Sequence, residues 1–197
     1  MEHNNITMEI QNAEKFQALS IARLIMQAMN YDCCRYFAGP DHTLDDFERV
    51  MTKLVLADDS QYSYLNTIVA IDADGGVCGC CVSYDGGKLH ELRCAFVEAA
   101  KAEFGRDFSG MDDETQAGEL YIDSIAVPES HRGRGIATAL LNAAIDKAKA
   151  MGLPAVGLLV DKGNPKAEKL YTRIGFKYVG DSSWGGHEMK HLQYAVK

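Results

Sequence analysis

The chain has 197 residues, 47% of them hydrophobic, and a formal net charge of −8, so it can bury one substantial core but lacks the basic balance that binding nucleic-acid phosphates requires. No segment approaches the ~18 uninterrupted apolar residues of a membrane span, and the first residues lack the basic and apolar regions of a signal peptide. We therefore expect a cytoplasmic protein whose partners include neither nucleic acid nor a membrane.

The N-terminal half is predicted to contain a strand, two helices, a hairpin and a third helix. Thr43 and Asp46 have the spacing of a helix N-cap and its third residue, and residues 72–76 (Asp-Ala-Asp-Gly-Gly) are a hairpin turn signature. Apolar periodicity supplies the rest. The predicted elements are a strand over 6–10, helices over 14–29 and 43–56, strands over 64–71 and 77–84, and a helix over 89–104.

Six cysteines raise the question of a disulfide framework or a metal site. They lack the paired Cys-x-x-Cys spacing of a zinc site, and three of them lie on the strand predicted over 77–84. We expect reduced thiols that behave as small hydrophobic side chains, and no metal.

The segment from Leu120 onward is the most informative part of the chain. Leu120 to Val127 is an apolar, β-branched run that stops at Pro128, which predicts a buried strand. A Gly/Arg-rich turn then leads into a helix that ends at Gly152, a left-handed cap. A strand over 156–160 and a helix beginning at Asn164-Pro165 follow.

The turn between strand and helix has the chemistry of a phosphate site. Gly133 and Gly135 let the backbone approach a ligand, and the helix start presents free N–H groups and a positive dipole end. A P-loop would need Gly-Lys-Ser/Thr, which does not occur. A Rossmann turn fits poorly for two reasons. Thr138 occupies the place of the third Gly, and residues 128–132 separate the strand from the first Gly, where a dinucleotide-binding turn is tight.

Arg132-Gly133-Arg134-Gly135-Ile136-Ala137 matches Arg/Gln-x-x-Gly-x-Gly/Ala, and so resembles the pyrophosphate loop of the GNAT superfamily of acyl-CoA-dependent N-acetyltransferases. Leu170-Tyr171 and Gly175-Phe176 resemble the family's later motifs, so the resemblance covers roughly the last forty per cent of the chain. It implies an α/β (α+β) fold: one domain over 1–197 with a mixed, mostly antiparallel sheet flanked by helices. A helical insertion at about 86–118 precedes the central cofactor-binding strand.

The resemblance also implies the activity, which is acetyl transfer from acetyl-CoA, as acyl donor and without a metal, to a primary amine of a small molecule or peptide. Backbone groups of Ile125, Ala126 and Val127 would pair with the pantetheine arm. Asn164 is both a helix cap and a candidate ligand contact. The residues implied to hold the pyrophosphate are Arg132, Gly133, Arg134, Gly135, Ile136, Ala137 and Thr138.

Three residues are candidates for proton transfer. In the family a tyrosine at the place of Tyr171 protonates the departing CoA thiolate, although the apolar stripe around Tyr171 also suits a core residue. Glu119 and Asp123 lie on the same predicted strand face and are both candidates for the base that takes the amine proton. A strand bulge, common in the family here, would decide which one faces the cleft. Each is otherwise a surface or hydrogen-bonded carboxylate.

The insertion and the overall function keep alternatives at this stage. We interpret 86–118 as part of the acceptor pocket or as a homodimer contact, whereas Asp112, Asp113 and Glu114 also suit a solvated acidic loop. Alternative functions are a non-catalytic acyl-CoA-binding module, an acyltransferase that uses a larger acyl-CoA and, more distantly, a Rossmann oxidoreductase. The acceptor itself is not readable from these residues.

Overall fold

A computed structural model describes residues 8–197 as a seven-stranded sheet with helices on both faces. Residues 6 and 7 of the first predicted strand lie outside the described residues. The strands are β1 (Glu9–Asn12), β2 (Thr67–Ile71), β3 (Val77–Asp85), β4 (Leu120–Ala126), β5 (Ala155–Asp161), β6 (Lys177–Trp184) and β7 (His187–Ala195). The helices are α1 (Ala18–Met29), α2 (Tyr31–Ala38), α3 (Leu44–Leu56), α4 (Leu89–Phe104), α5 (Ile136–Ala150) and α6 (Pro165–Ile174).

The sheet has the order β1-β2-β3-β4-β5-β7-β6. β4 and β5 run parallel, because α5 connects them across the sheet, and the other neighbouring strands are antiparallel. This is the mixed, mostly antiparallel α/β sheet predicted from the sequence.

Two apolar layers cover the sheet. Alternate strand residues point to opposite faces, so Cys80 and Val82 of β3 pack with α1–α4, while Cys81 packs with α5 and α6 on the other side. All six cysteines are free thiols, four of them buried. Across residues 8–197, no helix combines the length and the apolar character that crossing a membrane would require.

Most predicted elements are confirmed, and the differences have local causes. Thr43 and Asp46 form the expected capping box at α3, and α4 has the predicted bounds. The predicted strand over 64–71 begins with a 3₁₀ turn, so β2 starts only at Thr67. The prediction missed α2, whose N-cap Asn30 adopts a positive φ of 68° and accepts a hydrogen bond from the Cys33 N–H. It also missed β6 and β7.

Candidate active site

The sheet opens between its two parallel strands. Leu120–Ile122 of β4 pair with Val156–Leu158 of β5. The pairing stops there, although β4 continues to Ala126 and β5 to Asp161. The backbone edge of β4 beyond Ile122 is therefore not paired with β5. This edge includes Ile125 and Ala126, two of the residues predicted to contact a cofactor.

A β-bulge lies at the point where that pairing ends. Against β3, Ser124 pairs with Val82 and Ile122 pairs with Ser83, so Asp123 is the extra residue of β4. On the sheet face that α5 and α6 cover, Lys147 of α5 donates hydrogen bonds to the Ser83 carbonyl (2.6 Å) and hydroxyl (3.2 Å), beside the bulge.

Asp123 occupies a polar pocket on the α1–α4 side of the opening. Its Oδ1 accepts a hydrogen bond from the Ser124 hydroxyl (2.8 Å), and its Oδ2 accepts from Gln61 Nε2 (3.1 Å) and the Tyr84 hydroxyl (3.3 Å). Burial raises the pKa of Asp123, and these three hydrogen bonds only partly oppose that rise. A carboxylate whose pKa is raised is a stronger proton acceptor than an ordinary one.

Glu114, in the loop between α4 and β4, reaches the same pocket. The Tyr84 hydroxyl is 3.4 Å from Glu114 Oε1, while Glu114 Oε2 forms an ion pair with Arg93 of α4 and accepts a hydrogen bond from Trp184 Nε1 (2.9 Å). Burial raises the pKa of Glu114 to about 7, and the charge of Asp123 adds to this effect while Arg93 opposes it. Asp112 and Asp113 are exposed. The solvated-loop interpretation therefore applies to them and not to Glu114.

Glu119, the residue directly before β4, has a different environment. Its side chain is fully buried and accepts hydrogen bonds from Thr115 Oγ1 (2.6 Å), His191 Nε2 (2.9 Å) and Gln193 Nε2 (2.7 Å). Burial alone would raise the pKa of Glu119, but these hydrogen bonds outweigh it and lower the pKa. Gly157 of β5 leaves space for the carboxylate, since a Cβ there would collide with it.

Both glycines of the Gly/Arg-rich turn are left-handed. Gly133 and Gly135 have positive φ angles of 77° and 81°, and a Cβ on either would meet no protein atom within 4 Å. The Arg132 and Arg134 side chains are exposed and donate to the carbonyls of Val127 (3.3 Å) and Ser130 (2.9 Å). Gly135 is the N-cap of α5, so the first N–H groups of that helix, from Ile136 to Thr138, point out of its end.

The two remaining predicted residues are the N-cap of α6 and a residue inside that helix. Asn164 caps the helix by accepting a hydrogen bond from the Ala167 N–H (3.2 Å), with Pro165 at the first helical position. Tyr171 is 9% exposed and its ring packs against Phe176, which is the contact expected of a core residue. Burial, and secondarily the nearby Cys81 thiol, raises the pKa of Tyr171 to about 12.

Several residues around Asp123 and Glu114 were not predicted from the sequence. Gln61, Tyr84 and Trp184 come from distant parts of the chain, and their positions carry no local motif. Arg93 did carry a signal, because it shares the buried stripe of α4 with Leu89, Phe96, Ala100 and Phe104. A charge on an apolar helix stripe requires a buried partner.

Comparison with known proteins relates this geometry to a family. A family model for the acetyltransferase (GNAT) family matches residues 26–176. A crystal structure of an acetyltransferase is 31% identical with a TM-score of 0.79, and the match covers 96% of this chain and 100% of that one. A crystal structure of an N-acetyltransferase from Staphylococcus aureus Mu50 is 25% identical with a TM-score of 0.78, covering 94% and 100%.

A curated relative gives a shorter match. An acetyltransferase of Agrobacterium fabrum is 39% identical over 71 residues, which is 36% of this chain and half of the relative's length. The family model, in contrast, spans the opening between β4 and β5, the bulge, the glycine turn and α6. The chain belongs to the GNAT acetyltransferase family.

Proposed function

We propose that this chain is an acetyl-CoA-dependent N-acetyltransferase that acetylates a primary amine of a small molecule or peptide. The observation that carries the proposal is the bulge at Asp123, which holds a carboxylate of raised pKa where β4 and β5 stop pairing. In this proposal residues 1–197 form one domain, with about 86–118 as its insertion.

The glycine turn and the β4 edge suit acetyl-CoA, the cosubstrate that supplies the acetyl thioester. Left-handed glycines with open space beside them let a pyrophosphate approach the backbone N–H groups between Arg132 and Thr138. The edge of β4 at Ile125 and Ala126, which β5 leaves unpaired, and the adjoining Val127 would offer backbone groups to the amides of the pantetheine arm. Asn164 would add a contact from the start of α6.

Asp123 is the better of the two candidate bases. A primary alkyl amine has a pKa near ~10.4 and arrives mostly as ammonium at neutral pH, so its proton must be removed before the nitrogen can attack the thioester carbon. The raised pKa of Asp123 favours taking that proton. The three hydrogen bonds to Glu119 favour its ionised form and occupy its oxygens, so we assign Glu119 a positioning role.

Tyr171 is proposed to assist the departure of the CoA sulfur. Its pKa of about 12 keeps the phenol protonated at neutral pH, so it can donate a hydrogen bond to the developing thiolate. The same pKa makes it a weaker acid than a thiol of pKa ~8.5, so we expect partial rather than complete proton transfer. Asp123 accepts the first proton lost by the amine; as the new C–N bond forms and the C–S bond breaks, the nitrogen loses a second proton, which leaves with the CoA sulfur as the thiol.

The test is turnover of acetyl-CoA against polyamines, amino acids, aminoglycosides and peptide N-termini, with CoA release and the acetylated product both measured. The proposal predicts equimolar CoA and N-acetyl product with at least one class. Acetyl-CoA binding without turnover would instead identify a binding module. Turnover only with longer acyl-CoA thioesters would identify a different acyltransferase.

A further inference from the structure

The insertion places a second carboxylate in contact with the candidate base through one hydroxyl group. Tyr84 of β3 is 2% exposed, and its hydroxyl oxygen lies 3.3 Å from Asp123 Oδ2 and 3.4 Å from Glu114 Oε1. These separations exceed the ~2.5–3.0 Å of a strong O–H···O bond, and catalytic hydrogen bonds often tighten only when substrate is bound.

This arrangement has too few protons to form both hydrogen bonds when the two carboxylates are ionised. Tyr84 has one phenolic proton, so it can donate to Asp123 or to Glu114 but not to both. When both carboxylates are ionised, the one that receives no hydrogen bond from Tyr84 is left with its oxygen lone pairs directed at the lone pairs of the phenol oxygen. One additional proton completes both hydrogen bonds, because a protonated Glu114 can donate to Tyr84 while Tyr84 donates to Asp123.

A buried acceptor beside Asp123 points to a ligand that donates hydrogen bonds. Gln61 is 3% exposed, and its backbone N–H is held by the Leu92 carbonyl of α4 (3.0 Å). Its Nε2 donates to Asp123, whereas its Oε1 is buried without a hydrogen-bond partner among residues 8–197. An ammonium group has three N–H donors, so one that bonds to Asp123 can also supply a donor to Gln61 Oε1.

We infer that Glu114 is the second half of the base, and that Asp123, Tyr84 and Glu114 together hold the single proton removed from the acceptor ammonium. This inference rests on the proposed function. The ammonium N–H transfers its proton to Asp123, the proton of Asp123 passes to the Tyr84 oxygen, and the phenolic proton of Tyr84 passes to Glu114. The amine is left neutral with its lone pair free, and the insertion stores the proton.

The surrounding groups support an exchange of one proton. The buried charges are Arg93 and the two carboxylates, so with both carboxylates ionised they sum to −1, which suits a monocationic ammonium; Asp113, which also contacts Arg93, is half exposed. Burial raises the pKa values of the facing tyrosines well above their ordinary value, so they remain neutral. The groups facing the pair are Tyr62, Tyr84 of β3, Arg93 and its contact Asp113, Tyr121 of β4 and Trp184 of β6.

The first test needs no acceptor. Carboxyl ¹³C NMR of the whole protein, labelled at Glu and Asp side chains and assigned with Glu114→Gln and Asp123→Asn, follows each titration directly. We expect Glu114 to titrate near neutral pH in the parent, and about one pH unit lower in Asp123→Asn, which is the size of interaction that marks coupled sites. Asp113→Asn is the matched control, since Asp113 also contacts Arg93 but does not reach Tyr84. Titration of Glu114 in the ordinary carboxyl range, or with no response to Asp123→Asn, would overturn the inference.

The second test uses whichever amine of the panel the parent acetylates. Glu114→Gln and Tyr84→Phe should each lower kcat/KM about tenfold, less than the ~10²–10⁴ expected for loss of a base itself. Glu114→Gln should also move the acidic limb of the pH profile to lower pH, because Asp123 then loses an anionic neighbour. If the pH profiles of kcat/KM for both variants coincide with those of the parent and of Asp113→Asn, the inference is contradicted. Absence of turnover by the parent would refute the proposed function and with it the acceptor proton, whereas the NMR titration would still show whether Glu114 and Asp123 are coupled.

Discussion

Replacing Glu119 should reveal a stabilising role and not a chemical one. Glu119→Ala removes a fully buried carboxylate and leaves Thr115, His191 and Gln193 without their shared acceptor. Breaking such a buried charged network costs about 3 kcal/mol or more. For a chain of this length that corresponds to a fall in Tm of about 6–12 °C.

Glu119→Gln should cost less, because the amide oxygen can still accept from β7 while the Thr115 hydroxyl turns to accept from the amide NH₂. Urea unfolding followed by circular dichroism, at neutral pH, measures both variants. Glu168→Ala is the control, since Glu168 also pairs with a side chain of β7, Lys190 at 2.9 Å, but as a partly exposed surface pair worth about 1 kcal/mol or less.

The opposite pattern would refute this assignment. If Glu119→Gln keeps the parent's unfolding free energy but loses kcat by about 10²-fold or more, together with the acidic limb of its pH profile, then Glu119 is the base. Asp123 would then be a structural residue of the bulge.

Three further predictions concern the cofactor turn, the acid and the insertion. Gly135→Trp should abolish the rise in Tm that CoA produces in the parent. Gly75→Trp is the control and should keep that rise, since Gly75 has the same φ of 81° but lies in a hairpin turn. A folded Gly135→Trp protein with normal CoA binding would refute the placement of the loop. Tyr171→Phe should lower kcat by about 10²-fold or less with the KM for acetyl-CoA nearly unchanged, and an unchanged kcat, with chemistry shown to be rate-limiting, would leave Tyr171 a core residue. Because the pKa of Glu114 rises from 4.5 to about 7 on folding, the folded state binds its proton more tightly, so the parent should lose up to about 3 kcal/mol of stability as pH rises across this window. Urea unfolding of Glu114→Gln should show a correspondingly smaller loss, and an equal loss would contradict the pKa assignment.

The sequence predicts those parts of the fold whose signals are local. The Thr43 and Asp46 capping box, the turn over 72–76 and the long stripe of α4 depend on residues within a few positions of each other. The short helix α2 escaped prediction because eight residues carry little periodicity and its cap depends on a left-handed Asn30. The mostly exposed β6 lacks the apolar alternation that identifies a strand.

The candidate site was less predictable because its decisive contacts join distant segments. Glu119 and Asp123 look equivalent in the sequence, and only the bulge and the partners separate them: Glu119 meets β7 residues more than 70 positions away, whereas Asp123 meets Gln61 and Tyr84. Glu114 resembled its exposed acidic neighbours until its ion pair with Arg93 was visible. Side-chain pairing at long sequence separation leaves no pattern that one sequence can display.

The most direct test of the proposed function is single-turnover mixing of the protein with isotopically labelled acetyl-CoA and an amine acceptor, with the labelled product quantified by mass spectrometry. The parent should transfer the label to the amine nitrogen with one CoA released per acetyl group. Asp123→Asn should bind acetyl-CoA normally and slow the transfer by about 10²–10⁴-fold. Transfer by Asp123→Asn at the parent rate, or labelled acetyl-CoA that stays bound without any product, would contradict the proposal.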